Sequence, residues 1–157
     1  MELYLLEPEV AGGLGENTVF GTDEEIRKEG GASRVQYLHY KFDGWLGDAL
    51  LECTPCFIIT KELNNQLMAN GLNDYSTQNC DITTSEEFEE LYPNKKLPEF
   101  IRLIPLGTVH VEKKSYSDWT GKHFSLSQRS ELVVTKEILS ILESYIKYSD
   151  ITPLKKL

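Results

Sequence analysis

The chain has 157 residues, 40% of them hydrophobic and 26% charged, and a net charge of −9. That length suffices for one domain with a real core, without metals or disulfides to hold it, and the composition is that of an ordinary soluble globular protein. The acidic balance argues against a nucleic-acid backbone or an anionic membrane as partner, since both attract Lys and Arg, and permits a basic protein.

No apolar run reaches the roughly 18 residues of a transmembrane helix. Met1 to Glu9 is acidic where a signal peptide is basic, so the expected location is the cytoplasm. Three cysteines, an odd number, make no disulfide framework and fit a reducing compartment.

In chain order, Leu3, Leu5 and Leu6 predict a first strand, ended by Pro8. Residues 8–33 read mostly as loop, rich in glycine, with one acidic helical turn from Asp23 to Lys28 that Thr22 caps. Residues 1–30 carry eight acids and two bases. A long loop of that charge is a candidate functional surface, or equally a solvated face that aids solubility. Val35 to Phe42 alternates, with Leu38, Tyr40 and Phe42 on one face, and predicts a strand. Asp43-Gly-Trp-Leu-Gly-Asp48 is a turn carrying a tryptophan, followed by Ala49 to Glu52.

Residues 72–83 read as a polar loop. Thr84-Ser-Glu-Glu87 has the capping-box form, and Phe88 and Leu91 predict a short amphipathic helix stopped before Pro93. Phe100 to Leu106 is an apolar strand, and Val109 and Val111 continue as a strand partner. Residues 113–128 are polar, with Tyr116, Trp119 and Phe124 as anchors. A last helix is expected from Lys136 to about Tyr148, then Ile151, Leu154 and a two-lysine tail.

One pattern occurs twice. Cys56 to Leu67 and Glu131 to Leu142 each hold a β-rich apolar run, then Thr-Lys-Glu, then apolar residues at helical spacing. Each predicts a buried strand passing directly into a helix. Thr60 and Thr135 are the expected N-caps, their hydroxyls satisfying first-turn amides, and Glu62 and Glu137 sit where the helix dipole favours a carboxylate. Little else aligns between the copies, so convergence on a short motif explains them better than duplication. Strands and helices mix without strict βαβ alternation. The expected class is α+β, a single domain over 1–157 with helices packed against a mixed β-sheet.

Chemistry is sparse. Gly12-Gly-Leu-Gly15 lacks both the dinucleotide fingerprint and the Gly-Lys-Ser/Thr of a phosphate loop, so no cofactor is expected. Cys53-Thr-Pro-Cys56 has redox spacing but runs into a strand instead of opening a helix, and Cys80, His39, His110 and His123 show no zinc-ligand spacing. The cysteines therefore read as structural, and no metal is expected. No Gly-x-Ser-x-Gly elbow exists. No catalytic residue is assigned; the alternative reading is a small hydrolase-like enzyme with a dispersed site, using His39 or His123 with nearby carboxylates.

Surface features point instead to binding. Glu86, Glu87, Glu89 and Glu90 surround the short helix, as a solvated face or as a landing site for a basic partner. Trp45 between Asp43 and Asp48 reads as a hot-spot anchor or as a cap on the core. The expected contact surface combines these residues with Asp23, Glu24 and Glu25.

Several pieces together carry a resemblance. Leu6-Glu-Pro-Glu-Val-Ala-Gly-Gly-Leu-Gly-Glu-Asn-Thr18, Phe42-Asp-Gly-Trp-Leu-Gly-Asp48, Ser85-Glu-Glu-Phe-Glu-Glu-Leu-Tyr-Pro93 and Leu132-Val-Val-Thr-Lys-Glu137 resemble a group of small uncharacterised bacterial proteins, over most of the chain. The closing unit is similar to one in immunity proteins of bacterial polymorphic toxin systems, where a β-run enters a helix through a Val-Ser/Thr-x-Glu step. That likeness rests mainly on the last 25 residues or so. It implies a cytoplasmic binding protein that neutralises a toxin domain by blocking its active site, and it brings no catalytic residues.

Overall fold

The computed structural model describes residues 2–157. In its first half the strands are β1 (Leu3–Glu7), β2 (Gly12–Leu14), β3 (Val19–Phe20), β4 (Val35–Tyr37), β5 (His39–Phe42), β6 (Leu50–Cys53) and β7 (Cys56–Thr60), with helix α1 (Asp23–Glu29) before β4 and α2 (Lys61–Ala69) after β7. Next come β8 (Tyr75–Gln78), β9 (Asp81–Thr84), α3 (Glu86–Leu91), β10 (Phe100–Pro105) and β11 (Gly107–Glu112). The chain closes with β12 (Ser115–Ser117), β13 (Phe124–Ser127), β14 (Leu132–Thr135), α4 (Lys136–Leu142) and β15 (Asp150–Lys156). The class is α+β, as the mixture of strand and helix signals predicts.

The strands form a closed barrel, β1-β14-β13-β11-β12-β15, and three open sheets: β6-β7-β10-β8, β2-β5-β9 and β3-β4. The four-stranded sheet lies between two cores. Leu50, Phe57, Ile59, Ile101 and Leu103 join a core with α2, α4 and the barrel residues Leu6, Phe124, Leu132 and Val134. Leu51, Cys53, Cys56, Ile58 and Phe100 join another with Leu38, Tyr40, Phe42 and Phe88. Burial on both faces explains why β7 is buried throughout and reads as a continuous apolar run. A third cluster, with Leu3, Leu5, Val109, Val111, Tyr116, Val133 and Leu154, comes from five barrel strands.

The two Thr-Lys-Glu units converge. β7 passes into α2 and β14 into α4, and Leu63 and Leu67 share one core with Ile138, Leu139 and Leu142. Leu63 and Leu67 lie one turn apart on a single helical face. The caps differ. Thr60 accepts from Leu63 N at 3.1 Å, whereas the Thr135 hydroxyl caps nothing and bonds His123 Nδ1 at 2.7 Å.

Other expectations need correcting. The last helix ends at Leu142, not near Tyr148. Beyond it Ile146 turns into the core, and the Asp48 carboxylate takes the amides of Lys147 and Tyr148, drawing the chain off the helical path. The tail is no tail: β15 pairs with β1 and β12 and closes the barrel. The stretches 8–33, 72–83 and 113–128 hold short strands whose polar or glycine-rich sequences hide them. Val35–Phe42 is two strands, β4 pairing with β3 and β5 with β2 and β9. Ser85, not Thr84, caps α3, and Leu91 is exposed while Phe88 alone enters the core. α1 is as expected, with a complete capping box between Thr22 and Glu25. Among the described residues, no helix is long and apolar enough to cross a membrane.

Candidate functional site

The Asp43–Asp48 turn leaves β5 with the amides of Asp43 and Gly44 donating to Ala11 O at 2.9 and 3.1 Å. Trp45 packs edge-on against Phe100, centroids 6.1 Å apart, and its Nε1 donates to Asp48 O at 3.0 Å. Two buried carboxylates then fix the turn. Glu9 accepts from Leu46 N at 2.7 Å and from Asp48 N at 3.2 Å. Asp48 accepts from Lys147 N at 2.7 Å and from Tyr148 N at 2.9 Å. Among the described residues no lysine or arginine pairs with either acid; four main-chain N–H groups hold the two carboxylates. They knit residues 9–11, 43–49 and 145–148 into one rigid ledge. Gly47 sits at φ +118°, a backbone region that disfavours other residues.

This arrangement reassigns the predicted residues. Asp48 is only 2% exposed and serves the fold, so it is no contact carboxylate. Trp45 is half-buried, with one face on the core. Asp43 is exposed. The apolar groups that the ledge presents to solvent are Val10, Leu46 and Tyr148, 65, 60 and 52% exposed. Leu46 borders three clefts of about 440, 390 and 360 Å³, so the turn stands as a ridge among them.

The largest of the three is acidic. Glu7, Glu52, Glu131 and Asp150 line it with Arg129, Val10, Leu46 and Tyr148. Glu7 and Asp150 are register partners on β1 and β15. Burial, reinforced by the charges of Glu7 and Glu131, pushes the Glu52 carboxyl up to about 7. Sequence reasoning missed this cleft. Its acids come from β1, β6, β15 and the turn before β14; the only local signal is Glu52, a carboxylate interrupting an apolar strand.

The acidic helix joins the same region. Glu86, Glu87, Glu89 and Glu90 are exposed around α3. Phe88 beneath them meets Phe42 at 6.3 Å and Tyr92 at 5.1 Å. Tyr92 lines a cleft with Asp43, Trp45 and Leu46. The structure thus brings the 43–48 turn and the 86–90 helix together. It leaves α1 elsewhere, bordering a groove of the barrel strands with Ile26, Arg34, Thr108 and His110. There Glu24 pairs with Lys28 at 3.0 Å and Glu25 accepts from Gln36, while Asp23 is exposed.

The remaining candidates are occupied within the fold. His39 is fully buried. Its Nδ1 accepts from Asn17 N at 3.1 Å, so its Nε2 donates to Thr83 Oγ1 at 2.7 Å. A Cβ on Gly15 would strike the His39 ring, and one on Gly12 would strike the Lys41 carbonyl, which accounts for two of the loop's glycines. His123 bonds Thr135, and its amide donates to Asp74 Oδ2 at 2.7 Å. Cys53 and Cys56 face each other across the β6–β7 hairpin, and burial pushes all three thiols up to about 11, which leaves them poor nucleophiles. Among the described residues, no three His, Cys, Asp or Glu side chains are grouped to hold a metal ion. No protein-family model matches this chain, and no curated protein matches it in sequence.

Proposed function

We propose that the protein is an immunity-type inhibitor, an acidic binding protein of the cytoplasm that neutralises a basic toxin or effector domain by covering its active site. The observation that carries this reading is the ledge: Val10, Leu46 and Tyr148 exposed on a backbone locked by Glu9 and Asp48, within a rim of carboxylates. An apolar centre with a charged rim is the anatomy of a protein interface, and a surface held rigid before binding loses little entropy on binding. The net charge of −9 adds long-range attraction for a basic partner, and a toxin must be met before it acts. The likeness of the closing strand–helix unit to immunity proteins agrees with this.

The test is affinity capture from the native cytoplasm, with Leu46→Asp beside the natural chain. The proposal expects a basic protein retained at low salt, released as salt rises, lost with L46D, and inhibited stoichiometrically in its own activity. Capture of the same protein by both chains, or no inhibition by the natural one, would overturn it.

A second reading, a small hydrolase-like enzyme, draws on Glu52, whose carboxyl near 7 in an open cleft suits general acid–base work. The histidines expected for such a site, His39 and His123, do not line that cleft and are engaged with Thr83 and Thr135.

A further inference from the structure

Beside the ledge, two aromatic rings already hold a cation. Lys95 Nζ lies 5.1 Å from the Trp45 ring centroid and 4.8 Å from that of Tyr92, so both faces share one ammonium. No carboxylate pairs with that ammonium among the described residues. Lys95 itself is exposed and comes from the turn after α3, so it can withdraw without disturbing either core. The rings are fixed independently of it: Trp45 by Phe100 and by its bond to Asp48 O, Tyr92 by Phe88 and by its amide bond to Phe88 O. The same two rings also line a cleft of about 360 Å³ with Asp43, which is exposed and makes no ion pair among the described residues; Lys95 lies outside that cleft and borders another with Cys80, Ile82 and Phe100.

We propose that the two ring faces shared by Lys95 form a cation-accepting aromatic cleft of their own, which Lys95 fills in the free protein, and that an arginine or lysine side chain of the partner takes its place there. The proposal rests on the basic-partner reading. An aromatic pair binds any cation through its ring quadrupoles, and the exchange of one ammonium for another conserves that attraction. The net charge of −9 favours an incoming cation, and Lys95 recovers its rotamer freedom when it is displaced. Lys95 therefore acts as a resident competitor, and the apparent affinity of an external cation is reduced by the fraction of time the cleft is filled.

The test needs no partner. Tetramethylammonium chloride is titrated into the full chain, against matched sodium chloride, while the two indole N–H resonances are followed by NMR and assigned with Trp119→Phe. Lys95→Met keeps the stem and removes the charge at an exposed site. The expected result is a saturating shift of the Trp45 resonance, none at Trp119, and a midpoint roughly two- to fivefold lower in K95M. A Trp45 resonance that ignores the probe in K95M, or equal midpoints in both proteins, would overturn the proposal. The two ideas fail separately. A responsive cleft without any captured basic protein removes the inhibitor reading alone; a salt-sensitive complex with a silent cleft removes the cleft alone.

Discussion

Replacing Asp48 tests the ledge at its most buried point. In Asp48→Ala the amides of Lys147 and Tyr148 lose a carboxylate that accepts at 2.7 and 2.9 Å. Bonds to a charged acceptor contribute about 1.5–3 kcal/mol each. Part of that loss is recovered, because Lys147 and Tyr148 lie at the surface and their freed amides can reach water. A net cost of about 2–4 kcal/mol follows. With a urea dependence of about 2 kcal/mol per molar, the unfolding midpoint falls by about 1–2 M. The loss is also local. Hydrogen exchange of the Lys147 and Tyr148 amides accelerates by at least about tenfold, while amides of β1 and β14, bonded within the barrel, keep their ranking as the slowest set. A midpoint lowered by less than about 0.3 M, with those two amides still protected, would show that Asp48 does not hold the 147–148 segment.

Further expectations follow the same logic. Glu52 has a folded-state carboxyl raised to about 7 from 4.5, so the folded protein binds a proton that the unfolded chain has released, and stability falls as pH rises between those values. Glu52→Gln should remove that slope and, after discount for the water reaching the group, stabilise by about 1–2 kcal/mol at about pH 8 with little change near pH 5; parallel urea curves at both pH values decide it. Arg102, 2% exposed, donates to Val35 O, Ala32 O and Gln78 Oε1, so Arg102→Met should cost about 2–4 kcal/mol by orphaning buried acceptors, read as a lowered urea midpoint. Thr60→Ala should cost about 1 kcal/mol through its lost cap, measured by the same unfolding curve. Leu46→Asp should change stability by less than about 0.5 kcal/mol, since the side chain is exposed, yet weaken partner binding at least about tenfold by calorimetry.

Legibility in the sequence followed local self-sufficiency. β7 with α2, and β14 entering α4, are visible because apolar runs, a threonine and helical spacing lie within a dozen residues. α1 is visible for the same reason, its capping box being a four-residue event. β8, β9 and β12 are hidden because Ser, Thr, Gln and Asp make poor alternation; β8 and β9 pair with β10 and β5 far along the chain, and β12, besides its neighbour β11, pairs with the distant β15. β15 pairs with β1 across nearly the whole chain, so barrel closure leaves no local trace. The site divides likewise. The 43–48 turn and the 86–90 helix announce themselves by composition. The burial of Asp48 does not, because it depends on amides a hundred residues later; nor does the burial of Arg102, whose carbonyl partners lie about 70 residues earlier.

We propose that the ledge of Val10, Leu46 and Tyr148 receives a basic protein and silences it. The most direct measurement is the activity of the captured basic protein, titrated with the natural chain and with L46D at low and raised salt. Complete inhibition at one equivalent by the natural chain, weakened by salt and abolished by L46D, is the expected result. Undiminished activity with the natural chain in excess, or equal inhibition by L46D, would contradict it.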